Sequence, residues 1–538
     1  MSVYIEKIKV RNFKSFKEEE IKFKIPSDDF IGLNIFVGEN NAGKSTLIEA
    51  INFLFDGSKK ELSIIKTKDS NESEKLFVEI TFCGNLTNLI ENFCQQNKKE
   101  IFKKYIFKDG EIEHLIAKRD EDDLKGIYLY NKELGTYKNE SGIDAPFKKL
   151  FELETIAVDK NPDEEIKYTS SSTIKKLLSL ITSDFEERKE YKDYQRIHDV
   201  TFNKSDSALR KEIKEIEDEV GKVLKHQFGD LNIKLNFDGF NKDSFFKNSK
   251  LKVRDSFSNE EIDFEEKGEG TQRAISLSLV QVYSEYLKKH PEKTDATKPF
   301  YLFIDEPELS LHPEAQKKLL KSIVEICKKD QIFISTHSPY FLTPMLFKNV
   351  YKFQNSLSDG SKVSYDKEDK LKDVRENRKF MFHHRDILFK NRVLFVEGAK
   401  DLEMYSNYFI KQNKEHHLSC IYMLGGKGDF GSEIKTFCEV FKIDLLCIKD
   451  LDHLIEIIKK QPSIPERISQ ESQKQWVKRV YDKIDFSNKD LKSAISNELK
   501  SCKVLVNPYV DVEDFINLDG SINNESFEFS NKLFDFLE

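Results

Sequence analysis

A chain of 538 residues, 38% hydrophobic and 34% charged, is longer than one hydrophobic core organises, so two to four domains are expected. Its 87 Lys+Arg against 95 Asp+Glu give a net charge of -8, which does not advertise a polyanionic partner, although a local basic face suffices for one. No apolar run is long enough for a bilayer, Lys7, Lys9 and Arg11 interrupt any leader-like start, and the seven cysteines form no Cys-x-x-Cys pair; the reading is a cytoplasmic chain with reduced thiols, no membrane partner and no zinc centre.

The first residues alternate like a strand (Ile5, Ile8, Val10, Phe13), and the apolar stretch Phe30–Val37 runs straight into Gly38-Glu39-Asn40-Asn41-Ala42-Gly43-Lys44-Ser45-Thr46. That segment fits the phosphate-binding loop pattern G-x-x-x-x-G-K-[ST], and from Thr46 to Phe55 the apolar spacing turns helical, which is the context the pattern requires. Backbone N–H groups of such a loop converge on phosphate oxygens, and the following helix adds its dipole. Gly38, Asn41, Gly43, Lys44, Ser45 and Thr46 are the nucleotide-binding candidates, with Lys44 reaching the β- and γ-phosphates and Ser45 on Mg²⁺. Residues 76–160 read as short strands and turns. In Ser183–Gln195 and Ser207–Gln227 the chain is charge-dense, with Leu209, Ile213, Ile216, Val220 and Leu224 at helical spacing. A solvated helical hairpin is the plain reading; an arm for self-association is the sharper one, because a single apolar stripe on a long charged helix usually needs a partner.

Glycine returns at Gly268-Glu269-Gly270-Thr271-Gln272-Arg273, which opens a helix. The apolar strand Tyr301–Ile304 then ends in Asp305 and Glu306. Asp305 is placed to hold Mg²⁺ through water, and Glu306 to orient or deprotonate an attacking water. A further strand, Ile332–Ile334, leads into Ser335-Thr336-His337-Ser338. Loop, glycine-rich helix start, acidic strand and histidine in this order resemble the ABC-type ATPase heads of DNA-repair and chromosome-organising proteins. The resemblance implies that Gly270 and Gln272 of one subunit close over ATP held by another, with His337 as a switch, in a homodimer or higher homo-oligomer. Gly268 stands where that family usually has serine, so slow or structural use of ATP is expected. Residues 354–380 are polar and read as a linker or surface excursion.

The remainder alternates strands with helices. Arg392–Val396 delivers Glu397, with Asp401 four residues on; Met423-Leu424-Gly425-Gly426-Lys427-Gly428 is a strand-to-glycine turn; Leu445–Ile448 leads to Asp450-Leu451-Asp452; and Val504–Val506 precedes Asp511-Val512-Glu513. Carboxylates at i and i+2 of a strand leave one face, and they repel unless a cation lies between them. Such acids suit hard divalent cations, at the C-terminal edge of a parallel sheet. Glu397 and Asp450-x-Asp452, with Gly425-Gly426-Lys427 between, resemble a Toprim domain, the metal-binding fold of topoisomerases, primases and some nucleases.

An ABC-type head followed by a Toprim domain resembles the OLD (overcoming lysogenization defect) family of ATP-dependent nucleases, which includes the nuclease subunit of the Gabija anti-phage system and retron-associated effectors. The fold so implied is α/β: an ABC-type P-loop ATPase head (1–164 and 251–350) split by a helical dimerisation insert (165–250), a linker (351–388), and a Toprim domain with a parallel sheet (389–538). The implied activity is metal-dependent DNA cleavage in anti-phage defence, regulated by ATP. Two Mg²⁺ or Mn²⁺ ions about 4 Å apart would act on the phosphodiester, one on Glu397, Asp450 and Asp452, the other on Asp401, Asp511 and Glu513. A C-terminal lysine is implied as well; Lys532 is the last candidate, with Lys427 and Lys503 as substitutes. A helicase or a retron reverse transcriptase is a candidate partner. Lys98–Lys104, Lys242–Arg254 with Phe245 and Phe246, and Lys478-Arg479 beside Trp476 are basic stretches for DNA, or solvated faces. The rival reading is an ATP-driven DNA clamp or repair scaffold with an inactive acidic domain.

Overall fold

A computed structural model describes residues 3–27, 30–57, 61–68, 74–151, 153–156, 187–202, 204, 207–228, 252–254, 261–268, 271–272, 275, 278–279, 282, 286, 299, 301–356, 358–371, 385–423, 432–449, 467–472, 475–476, 479, 504–506 and 533. The architecture is mixed α/β. Strands β1 (Val3–Phe13), β2 (Phe16–Lys22), β3 (Leu33–Gly38), β4 (Phe77–Gly84), β5 (Phe107–Asp109), β6 (Ile112–Asp120), β7 (Asp123–Asn131), β8 (Thr136–Asn139) and β9 (Leu153–Ile156) precede the small ribbon of β10 (Lys252–Arg254) and β11 (Glu261–Asp263). They are followed by β12 (Tyr301–Asp305), β13 (Gln331–Ser335), β14 (Val350–Ser356) and β15 (Gly360–Tyr365). Among the described residues these build one large sheet in the order β8-β7-β6-β4-β1-β2-β15-β14-β3-β13-β12-β9, with β5 beside β6.

One half of that sheet is antiparallel. The other half, β14-β3-β13-β12-β9, is parallel, so β3, β12 and β13 end on the same edge. The parallel strands are mostly apolar along their buried lengths because both faces are covered. Phe36 of β3 faces Phe333, Tyr351 and Phe353 at ring-centroid distances of 5.9, 5.8 and 5.2 Å. The opposite face, through Leu33, Ile35 and Val37, packs with Leu319 and Ile323 of the helix Pro313–Ile326. Helix Lys44–Asp56 buries Leu47, Ile51 and Leu54 against the antiparallel half. Its last turn is tied down by the buried Arg119, which donates to the Leu54 carbonyl at 2.9 and 3.1 Å.

A second sheet contains β16 (Arg392–Val396), β17 (Ile421–Met423), β18 (Asp444–Lys449) and β19 (Val504–Val506) in the order β17-β16-β18-β19, every pair parallel. Val393 and Phe395 face the core shared with Phe347, Ile387 and Leu388, while Leu394 and Val396 face the helix Ala399–Lys411 through Met404, Tyr405 and Phe409.

Two local readings of the sequence change. The polar stretch taken as a surface excursion from residue 354 begins with β14 and β15, an antiparallel hairpin inside the large sheet. Its composition hides it because Ser361 and Val363 are the inward side chains and neighbouring strands supply the apolar area. Residues 86–93 and 96–103, read within a region of strands and turns, are helices. On the second of these, Lys99 and Lys103 pair with Glu91, and Lys98 donates to the Ser141 carbonyl, so three lysines of this basic stretch have partners within the chain. Helices Lys189–Phe202 and Ala208–Phe228 stand where helical spacing was read, with Leu209, Ile216 and Val220 exposed and Ile213 buried. Among the described residues no helix is long and apolar enough to cross a membrane.

Lys352 of β14 is 1% exposed, and its ammonium donates to the Lys390 carbonyl. Burial pushes it down to about 7, against about 10.4 in an unfolded chain. Between those values the unfolded state binds more protons, so this group's contribution to stability improves as pH rises. In thermal denaturation from about pH 7 to about pH 10, wild type is therefore expected to gain on Lys352→Met as pH rises; a constant difference contradicts the assignment.

Candidate functional site

The C-terminal edge of the parallel half carries a cavity of about 590 Å³ lined by Lys14, Ser15, residues 40–46, Asp305 and Glu306. Its floor is the glycine loop. Gly38 has φ 143°, and a Cβ there would lie 2.3 Å from the Phe353 carbonyl oxygen. Gly43 has φ 107°, and a Cβ there would lie 2.4 Å from Ser361 Oγ. Both positions need glycine, because β14 and β15 crowd the loop where its backbone turns left-handed. Asn41 also has positive φ, 62°, which asparagine tolerates.

Lys44 Nζ donates to the carbonyls of Gly38 (2.8 Å) and Glu39 (3.0 Å) and lies 3.0 Å from His337 Nε2. Burial pulls this ammonium's pKa below its ordinary value, opposed by the negative field of Glu306, Asp305, Glu308 and Glu39. His337 is likewise lowered, by burial first and by Lys44 second, with Glu306 and Asp305 opposing. A neutral imidazole is the form that accepts a hydrogen bond from an ammonium. Asp305 accepts from the Ser335 hydroxyl. Glu306 holds φ 45° with its N–H on the Ser335 carbonyl at 3.0 Å, and its Oε1 lies 3.8 Å from His337 Nε2. A left-handed glutamate costs on the order of 1–3 kcal/mol and persists where its surroundings over-determine it, as they do at functional sites.

Motif reading missed Glu308, two residues past that turn. Its Oε1 accepts the His337 N–H at 2.6 Å and its Oε2 the Thr336 hydroxyl at 2.9 Å, so one carboxylate fixes the backbone that carries the histidine. Burial raises its pKa, against those same hydrogen bonds. The third acid in Asp305-Glu306-Pro307-Glu308 was the available signal. Lys14 and Ser15, in the turn after β1, were also unmarked; nothing local in the sequence says that this turn reaches the loop.

The structure therefore brings Gly38, Asn41, Gly43, Lys44, Ser45, Thr46, Asp305, Glu306 and His337 to one edge. Gln272 is elsewhere: it is buried, and its amide donates to the Phe264 carbonyl at 3.1 Å. Gly270 lies outside the described residues. A Cβ on Gly268 would meet nothing within 4 Å, so packing does not demand glycine there.

At the second sheet Glu397 follows the last residue of β16. One Asp401 oxygen accepts the Gly398 N–H at 2.9 Å, which caps the helix Ala399–Lys411. Lys449, the last residue of β18, pairs with Val506, the last of β19, and β18 also flanks β16, so these three strands finish side by side. Asp450, Asp452, Asp511, Glu513, Lys532 and the alternatives Lys427 and Lys503 lie outside the described residues. The donors that lie within them, Glu397 and Asp401, are hard carboxylate oxygens of the kind magnesium and manganese take. Among the described residues no group of three or more His, Cys, Asp or Glu is gathered to hold a metal.

A family profile described as an AAA ATPase domain matches residues 3–342. The Old nuclease of Escherichia phage P2 is 28% identical over 484 residues, covering 85% of this chain and 79% of that protein. The OLD nuclease of Thermus scotoductus is 26% identical over 281 residues, 49% of this chain and 51% of its own length. An endonuclease GajA of Bacillus cereus is 20% identical over 474 residues, 81% of this chain and 62% of its own. This chain thus spans only about half to two thirds of the latter two relatives. A solved Smc head domain from Pyrococcus furiosus covers 71% of this chain and 100% of its own at 16% identity and a TM-score of 0.38, a likeness too slight to carry weight.

Glu308→Ala removes the acceptor of the His337 N–H and the Thr336 hydroxyl. A loss of about 1–3 kcal/mol is expected in chemical denaturation, together with a slower ATPase; unchanged values of both contradict the clamp.

Proposed function

Because the chain belongs to the AAA ATPase domain family and is a relative of the OLD nucleases, we propose that it is an ATP-regulated, metal-dependent DNA endonuclease. The observation that carries this reading is the parallel order β16-β18-β19. Those are the strands after which the sequence places Glu397, Asp450 with Asp452, and Asp511 with Glu513, and parallel neighbours finish on one edge.

In the ATPase half, the backbone of residues 38–46 cradles the triphosphate. Lys44 exchanges its carbonyl partners for the β- and γ-phosphates, and Ser45 with Asp305 holds Mg²⁺. Glu306 lies within reach of His337 and orients the attacking water, and His337 senses the γ-phosphate. Gly270 belongs to the surface that a second copy presents, with Gln272 acting from a buried position through its bond to the Phe264 carbonyl, and the helices between residues 189 and 228 are the element by which copies associate.

In the acidic half, a bound pair of Mg²⁺ or Mn²⁺ ions supplies an activated water and stabilises the leaving oxygen. Glu397, Asp450 and Asp452 are the donors to one ion, and Asp511 and Glu513 to the other. Asp401, whose carboxylate also accepts the Gly398 N–H, joins the second set of donors. Lys532, or Lys427 or Lys503 in its place, offsets charge on the phosphate. Defence against invading phage DNA in the cytoplasm is the setting we attach to this reading, with a helicase or a retron reverse transcriptase as partner; the family resemblance is its support.

The test is cleavage of plasmid, linear and single-stranded DNA with Mg²⁺ or Mn²⁺. Wild type is expected to nick or cut at least one form, Glu397→Gln and Asp450→Asn to fall to background, and Lys44→Ala to lose the response to ATP. ATP-dependent DNA binding with no cleavage of any form overturns the nuclease reading in favour of a clamp.

A further inference from the structure

The residues just ahead of β16 are held, one after another, by the nucleotide pocket and its flanking strand. Phe389 stacks on His337, with ring centroids 6.1 Å apart and planes 27° from parallel. The Lys390 carbonyl accepts from the buried Lys352 ammonium of β14. Asn391 is the most connected. Its Nδ2 donates to Glu39 Oε1 in the glycine loop at 2.7 Å, its Oδ1 accepts from Gln354 Nε2 at 3.0 Å, and its carbonyl accepts the Asp444 N–H that opens β18 at 2.8 Å. Gln354 also donates to the Lys442 carbonyl at 3.0 Å.

We propose that Asn391 is a positioning residue that fastens the strand ending at Glu397 to the phosphate-binding loop, so that the loop's occupancy sets where Glu397 stands. This rests on the nuclease reading for its consequence, but the link itself is a property of the chain. From Asn391 to Glu397 an extended strand spans about 20 Å. Val393, Leu394, Phe395 and Val396 are fully buried, and a close-packed strand moves as a unit rather than absorbing a shift. Glu39 offers its backbone carbonyl to Lys44 and its carboxylate to Asn391, so one residue touches both ends of the link. A triphosphate arriving at Lys44 takes that ammonium from the Glu39 carbonyl and adds negative charge beside its carboxylate. Both changes bear on the bond to Asn391. The neighbouring His337–Phe389 contact is exposed to the same event, because His337 meets Lys44.

The chemistry of the bond permits a polarity exchange. Asn391→Asp places two carboxylates face to face, where they repel. Combined with Glu39→Gln, the pair regains one donor and one acceptor in the reverse sense. Glu39→Ala removes the partner from the loop's side without touching the second sheet.

The primary readout is amide hydrogen exchange over residues 392–396 with and without ATP and Mg²⁺ on the full chain, and the secondary one is DNA cleavage under the same conditions. In wild type, ATP is expected to change exchange over 392–396. Asn391→Asp and Glu39→Ala are each expected to abolish that ATP-dependent change, and Asn391→Asp with Glu39→Gln to restore it. The with-to-without-ATP ratio of cleavage should become one in the single variants and return to its wild-type value in the double. Absence of an ATP effect in wild type, its survival in both single variants, or failure of the double to restore it overturns the proposal. If the exchange pattern follows expectation while no variant or wild type ever cuts DNA, the nuclease reading fails and the link stands.

Discussion

Parallel pairing is the constraint on which the structure depends. A parallel strand delivers whatever follows it to the same edge as its neighbours, and the chain uses this twice. In the large sheet β3, β12 and β13 end together, bringing the glycine loop, Asp305 with Glu306, and His337 around one cavity although they lie some 300 residues apart in the chain. In the small sheet β16, β18 and β19 do the same. The cost of parallel pairing is that both faces must be covered, and the apolar runs of β3, β12 and β16 meet that requirement.

Charge at the first edge is balanced rather than neutralised. Lys44 is buried, which disfavours its ammonium, while four carboxylates nearby favour it. His337 is pulled the same way, lowered by burial and by Lys44 while Glu306 and Asp305 oppose. A site poised this way has an ammonium whose present partners are two carbonyls and an imidazole, all of which a phosphate oxygen outcompetes because it carries full charge. Glu308 keeps the histidine's backbone in place during any such exchange, through the hydrogen bonds to His337 and Thr336.

The sequence made legible what is local. The spacing of Gly38, Gly43 and Lys44, the apolar run before Asp305 and the strand before His337 each carry their own context, and all landed on one edge. What escaped was set by partners distant in the chain. Residues 354–365 of the hairpin are mostly polar, and their place comes from the pairing of β14 with β3 and of β15 with β2. Asn391 has nothing around it to mark it, and its meaning comes from Glu39, 352 residues earlier. Asp401, chosen for its spacing from Glu397, also accepts the Gly398 N–H and so caps the helix that follows, a contact local in the chain.

If the acids that follow the strands of the small sheet gather into the proposed divalent-cation site, that site fills without the nucleotide. Manganese binding followed by electron paramagnetic resonance on nucleotide-free protein tests it most directly. Bound Mn²⁺ with the spectrum of a coupled pair, lost in Asp450→Asn, is the expected result. Protein that takes up Mn²⁺ only when ATP is present, and equally well in that variant, would contradict it.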